Sequence, residues 1–194
     1  MKIYFSVIAV LIFISSASAQ NIFRQNTMSL GGNISFSSKS SDGVSDSYNV
    51  FIVSPQFDYF IIDNLSLGLL VNIENINRGD YSNTILGFGP NARYYFQLES
   101  VNPFVGLAYI YSNEKWGYGD ETSYDVTETQ FVISAGLEFF ISDNLAFEPV
   151  VAYKFVNEKL DESLIESQPY YSNGENEQSS KIFEIGLGLK YFIY

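Results

Sequence analysis

The side chains able to do chemistry in this chain are few, and most sit alone in otherwise uncharged stretches. Asp58, Arg93, Glu138, Glu148 and Lys190 are set this way, and Glu74, Lys154 and Glu184 repeat the pattern. Two neighbouring carboxylates could serve as general acid and base, or as the pair a glycosidase uses, and Glu138 and Glu148 flank one predicted hairpin. Such a pair needs a substrate cleft to work in. The chain has no His, which removes the commonest general base and transition-metal ligand. It has no Cys, which removes disulfides, thiolate nucleophiles and Cys-based zinc sites. No Asp/Asn spacing matches a calcium loop. The formal net charge is -12 and no basic tract exists to neutralise phosphates, so nucleic acid is excluded as a partner. The sequence therefore assigns no catalytic residue, no cofactor and no metal.

The elements that carry these charges repeat with period two. Strands are predicted over Thr27–Ser38, Tyr48–Ile61, Leu65–Asn75, Asn83–Phe96, Pro103–Ser112, Thr127–Ile141, Leu145–Val156 and Lys181–Tyr194. One parity is bulky and apolar, as in Leu65, Leu67, Leu69, Val71 and Ile73. The other is small or polar, with Gly68, Gly87, Gly106, Gly136 and Gly186. Asp58, Glu74, Arg93, Glu138, Glu148, Lys154, Glu184 and Lys190 all have the polar parity. Two similar phrases, Tyr59-Phe60-Ile61-Ile62-Asp63-Asn64-Leu65 and Phe139-Phe140-Ile141-Ser142-Asp143-Asn144-Leu145, stand 80 positions apart and read as strand, tight turn, strand. Asp and Asn tolerate the positive φ such turns need.

Alternation alone does not say which side of the sheet meets water. Three further features do. Residues 1–19 have the form of a signal peptide: Lys2, an apolar run Ile3–Ile14, and an Ala17-Ser18-Ala19 cleavage site, leaving residues 20–194 as one domain beginning at Gln20. The apolar run falls short of the roughly 20 residues a spanning helix needs. Connections alternate between short turns, near Asp63-Asn64, Gln97–Asn102 and Asp143-Asn144, and longer polar loops, near Lys39–Ser47, Ile76–Ser82, Asn113–Val126 and Asn157–Ser180. Outward-parity aromatics gather at both strand ends: Tyr59, Tyr94, Phe96, Phe139 and Tyr191 near the short turns, Tyr109, Tyr111, Tyr153 and Phe155 near the long loops. Interfacial girdles of aromatics have this placement. The reading is an all-β fold, an eight-stranded antiparallel up-and-down transmembrane barrel with its apolar face in the lipid of the outer membrane.

The resemblance to a known family rests on particular residues. Gly89-Pro90-Asn91-Ala92-Arg93-Tyr94-Tyr95-Phe96, the Asp-Asn-Leu turns and the ending Gly188-Leu189-Lys190-Tyr191-Phe192-Ile193-Tyr194 together resemble the outer membrane protein beta-barrel domain family, and more broadly the small eight-stranded barrels of the OmpX and OmpA membrane-domain type. The resemblance covers Gln20–Tyr194, and the chain runs one or two residues beyond the family's usual Tyr-x-Phe end. It implies that the last strand is read by the barrel-assembly machinery. It also argues against an enzyme, since barrel enzymes of this membrane act on lipids with a catalytic His.

Counting from the short turns places Asp58, Arg93, Glu138, Glu148 and Lys190 at one level of the lumen, as a structural charge belt. Glu74, Lys154 and Glu184 fall nearer the outer mouth, where Lys154 and Glu184 are expected to pair. An interior this narrow holds side chains and little else. Trp116, Tyr118, Tyr170 and Tyr171 stand among acids in the long loops and are the candidate contacts for an unknown surface partner. The expected function is non-enzymatic, an envelope-structural or surface-interaction role. The alternatives are a narrow porin-like pore for ions or small solutes, and a secreted soluble barrel with an apolar ligand inside.

Overall fold

A computed structural model describes residues 22–39, 48–78, 81–98, 101–117, 123–160 and 177–194. The predicted signal peptide lies outside them. Eight strands follow one another: β1 (Met28–Lys39), β2 (Tyr48–Ile62), β3 (Leu65–Arg78), β4 (Tyr81–Tyr95), β5 (Asn102–Gly117), β6 (Ser123–Phe140), β7 (Leu145–Leu160) and β8 (Glu177–Ile193). Each pairs antiparallel with its sequence neighbour, and β8 returns to β1 with Met28 opposite Ile193, closing a barrel. Closure gives every strand a neighbour on both sides.

The apolar face looks outward. Leu69 and Phe88 are 65% and 63% exposed, and Phe57, Leu107 and Leu187 share their face. Arg93 and Glu138, by contrast, are 6% and 0% exposed. A soluble barrel would reverse this arrangement, since it must bury its apolar surface from water. All eight in-strand charges of polar parity are buried in the lumen. Lys181 departs from the parity rule, as Lys159 and Glu177 do further along their strands: it faces outward beside Phe155 of β7. It stands at the outer rim, where a long aliphatic stem can lie along lipid while the ammonium reaches headgroups.

The strands run further than their apolar alternation. β5, β6, β7 and β8 extend into stretches the sequence reading assigned to loops. A tilted strand crosses a bilayer in about 9–11 residues, and these strands have 16 to 18. The excess stands above the apolar band and changes its outward residues to polar ones. Asn75 pairs there with Thr84, Asn113 with Thr127, and Ser179 with Asn157. Backbone pairing needs no apolar side chains, so the ladder continues into water after the pattern that betrayed it has ended.

The two Asp-Asn phrases form different turns. Asn64 has φ 68° and closes a two-residue connection between β2 and β3. In the second copy β6 stops at Phe140, and four residues intervene before Leu145. There the Ile141 and Ser142 N–H groups donate to the Leu145 carbonyl, and no residue of that turn has positive φ.

The inner face is also less uniformly small than its glycines suggest. Phe60, Tyr95, Phe104 and Phe192 are buried at the short-turn end, and Ile52, Ile85, Ile110, Val132 and Val150 higher in the lumen. Glycine makes the room. A Cβ built on Gly136 would lie 2.5 Å from the Phe104 ring and 2.6 Å from the Pro149 carbonyl oxygen. Gly136→Leu is therefore expected to lower stability by about 1–3 kcal/mol, the usual effect of overpacking. The check is the temperature at which the compact, fast-migrating form is lost in a heat-modifiability gel.

Candidate functional site

The lumen is the candidate site, and it is built at three levels. The middle level is an ion network that four strands place together. Arg93 of β4 donates from Nη1 to Glu148 Oε2 of β7 at 2.7 Å, and from Nη2 to Gln56 Oε1 of β2 at 2.9 Å. Lys190 of β8 stands 3.2 Å from Asp58 Oδ2 and 3.4 Å from Glu148 Oε2. The Lys190 ammonium also donates to the Tyr95 hydroxyl at 2.9 Å. Asp58 accepts from both sides: Gln56 Nε2 at 2.7 and 2.8 Å, and the Ser29 hydroxyl at 3.2 Å. The Arg93 guanidinium lies over the Phe104 ring, 4.6 Å from its centroid. Each cation here is shared by at least two acceptors, which is what a charge out of bulk water requires.

Glu138 shares this level but not its bonding. It is fully buried against the Glu148 carboxyl, and among the described residues no N–H or hydroxyl donor reaches either of its carboxyl oxygens. The two carboxyl groups that could have formed a catalytic pair are thus neighbours. One is already committed to Arg93 and Lys190, and aromatic rings fill the space below.

The outer level has Lys154 at its centre. Its ammonium lies 2.6 Å from Glu184 Oε2 and 3.7 Å from Glu74 Oε1. Asn72 and Gln130 donate to Glu74 Oε1 at 2.5 and 3.0 Å, and Gln130 reaches on to Glu128 at 2.6 Å. Between the two levels lies a cavity of about 60 Å³ lined by Asn33, Asn72, Asn91, Arg93, Lys154 and Glu184 among others. Neither amide atom of buried Asn91 has a partner among the described residues. Leu70, Ile110, Val132 and Val150 join the lining, and a space of this size has room for the water that an unpaired amide needs.

The third level closes the short-turn end and is aromatic. Phe60, Tyr95, Phe140 and Phe192 point inward from β2, β4, β6 and β8, and Phe23, which precedes β1, sits among them. Its ring stacks on Tyr95 with centroids 4.5 Å apart. Sequence reasoning treated this face as small or polar and missed the floor. The signal was present: Tyr59-Phe60, Tyr94-Tyr95, Phe139-Phe140 and Tyr191-Phe192 are adjacent aromatic pairs at strand ends, and alternation must turn one member of each inward. Gln56 was missed as well, since an uncharged residue in a strand carries no mark of its role.

Of the loop candidates, Trp116 falls in β5 with its backbone opposite Tyr124 rather than in a loop. Tyr118, Tyr170 and Tyr171 lie outside the described residues. Among the described residues no group of three or more His, Cys, Asp or Glu side chains is placed to hold a metal ion.

The family described as "Outer membrane protein beta-barrel domain" matches residues 5–192. No curated protein sequence matches the chain. Among solved structures the barrel is similar to Neisserial surface protein A, with a TM-score of 0.60 at 15% identity over 85% of this chain and 96% of that one. It is similar also to the N-terminal barrel domain of OprF from Pseudomonas aeruginosa, with a TM-score of 0.55 at 13% identity over 87% and 98%. OprG from the same organism gives 0.52 at 14% identity over 88% and 97%. At these identities the structural likeness concerns the fold. The family match spans nearly the whole chain, and the wall it describes turns its greasy side out: this chain belongs to the outer membrane protein beta-barrel domain family and is integral to the outer membrane.

Proposed function

We propose that this barrel is a non-enzymatic, non-conducting outer-membrane protein whose work is done at its outer surface, with the lumen acting as a structural plug. The observation that carries this reading is the filling of the lumen at three heights: Lys154 with Glu184 and Glu74, Arg93 and Lys190 with Glu148 and Asp58, and the aromatic floor. Residues 1–19 act as a signal peptide, and residues 20–194 are the mature barrel. The last strand, ending Tyr191-Phe192-Ile193-Tyr194, serves as the segment the assembly machinery recognises. Trp116, Tyr118, Tyr170 and Tyr171 contribute contacts to a partner at the surface, since aromatics are favoured in such contacts. The competing reading is a narrow pore, and the cavity between the two charged levels is the observation in its favour.

Planar bilayers separate the two readings. The purified protein is expected to leave the current at baseline in molar KCl, and regular unit steps from the unaltered chain would establish the pore instead.

The network itself gives a second expectation. Arg93→Met leaves Glu148 and Gln56 Oε1 buried without their donor, and breaking a buried pair in this way costs about 3–5 kcal/mol. Adding Glu148→Met is expected to recover part of that loss, because apolar replacement of a whole buried pair is often close to neutral. Urea titration of the two variants in the same lipid decides it, and a double variant weaker than Arg93→Met alone would contradict the plug.

Surface digestion tests the orientation. Protease added to intact cells is expected to cut only at positions within 40–47, 79–80, 118–122 and 161–176, between the long ends of the strands. Cuts at Asp63-Asn64 or Asp143-Asn144 would place the short turns outside.

A further inference from the structure

The segment Ile22–Thr27 before β1 forms no strand, yet Ile22, Phe23 and Thr27 are buried while Arg24, Gln25 and Asn26 are exposed. Phe23 occupies the point on which four strands converge: its ring centroid lies 5.8 Å from that of Phe60, 4.5 Å from Tyr95, 5.9 Å from Phe140 and 5.7 Å from Phe192. The floor is thus a four-walled socket supplied by alternate strands, filled by a side chain that belongs to none of them.

The segment is held partly by backbone pairing with β2: the Asn26 N–H donates to the Phe60 carbonyl and the Phe60 N–H to the Thr27 carbonyl, each at 2.9 Å. The Asn64 N–H donates to the Phe23 carbonyl at 2.7 Å, and the Gln25 N–H to Asp63 Oδ1 at 2.8 Å. Gln25 Nε2 donates to the Ile61 carbonyl at 3.0 Å, and the Tyr59 hydroxyl to Asn26 Oδ1 at 2.7 Å. Most of these bonds reach the β2–β3 connection and its flanks. Withdrawing the segment breaks them and the ring contacts, and leaves the pairing of all eight strands intact.

What lies above the socket is polar. Tyr95, on which Phe23 stacks, accepts from Lys190, and the cavity lined by Asn72, Asn91 and Lys154 follows beyond Arg93. The buried charged groups of the lumen are Asp58, Glu74, Glu138, Glu148 and Glu184 against Arg93, Lys154 and Lys190, five carboxyl groups to three cations. Apolar constrictions stop ions by excluding water, and an acidic lining selects cations once water is present.

We propose that the segment Ile22–Thr27 is a removable stopper: Phe23 seals the periplasmic mouth, and its withdrawal admits water and small cations to the lumen. The inference rests on the reading of the intact barrel as non-conducting. It adds to the three-level plug that the floor is the decisive seal, carried by one side chain on a segment outside the eight strands.

The test is current across planar bilayers of phosphatidylcholine and phosphatidylglycerol in a KCl gradient, using the full mature chain. Phe23→Gly is expected to gain resolved current steps with a reversal potential on the potassium side, while the unaltered protein and Phe23→Leu stay at baseline. Should Phe23→Gly fail to fold, as judged by heat-modifiable mobility, the double variant Gln25→Ala, Asp63→Ala loosens the tether with the floor residues unchanged, and intermittent steps are expected from it. A folded variant as silent as the unaltered protein would overturn the stopper and leave the non-conducting reading standing. An unaltered protein that conducts as well as Phe23→Gly would overturn both.

Discussion

Hydrocarbon offers no partner for a peptide group, and the rest of this structure follows from that. Each strand must find a neighbour on both sides, so the sheet closes and β8 returns to β1. Closure fixes which parity faces lipid, and parity then decides the fate of every side chain. Apolar residues lie in the membrane without needing to pack tightly on one another. Charged residues of the other parity have nowhere to go but a lumen too narrow to hydrate them as bulk water would. Pairing Arg93 with Glu148 and Lys190 with Asp58 is therefore a condition of putting those residues in the wall at all.

The interior meets this condition in different ways at different heights. Near the outer mouth Lys154 is ringed by acids and amides, and Gln130 spans Glu74 and Glu128. At mid-height Gln56 ties Asp58 to Arg93, so that the two ion pairs act as one network. At the short-turn end polarity gives way to rings. Tyr95 joins the two regimes, with its hydroxyl on Lys190 and its ring face on Phe23. A change at the floor is thereby one residue from a change in the network.

Much of this was legible in the sequence because parity is a strong constraint. The eight isolated charges share one face opposite a continuous aromatic one, and the signal-peptide form of residues 1–19, the connection lengths and the aromatic girdles say which of the two meets lipid. Strand number and the short turns follow from the same alternation. The upper ends of several strands were not legible, since Asn113 and Asn157 continue the ladder without the apolar signal. Nor was Gln56, whose importance comes from Arg93 and Asp58 lying on either side of it in space. Phe23 was hidden for another reason. It belongs to no periodic element, and its partners come from four strands far apart in the chain.

The two Asp-Asn phrases show how one non-periodic segment reshapes what repetition would make alike. In both, the Asn carbonyl accepts from the inward aromatic that ends the next even strand: Asn64 from the Tyr95 N–H at 2.9 Å, Asn144 from the Phe192 N–H at 2.7 Å. The difference lies in the Asn N–H. That of Asn64 is taken by the Phe23 carbonyl, and the turn stays tight at φ 68°. Among the described residues no such segment lies beside Asn144, which turns its side chain to the Phe192 carbonyl instead, while Ser142 closes the wider turn on Leu145. A barrel of two equal halves would have offered two sockets or none. The chain entering beneath β1 fills the floor from one side, and the β2–β3 connection is shaped to hold it there.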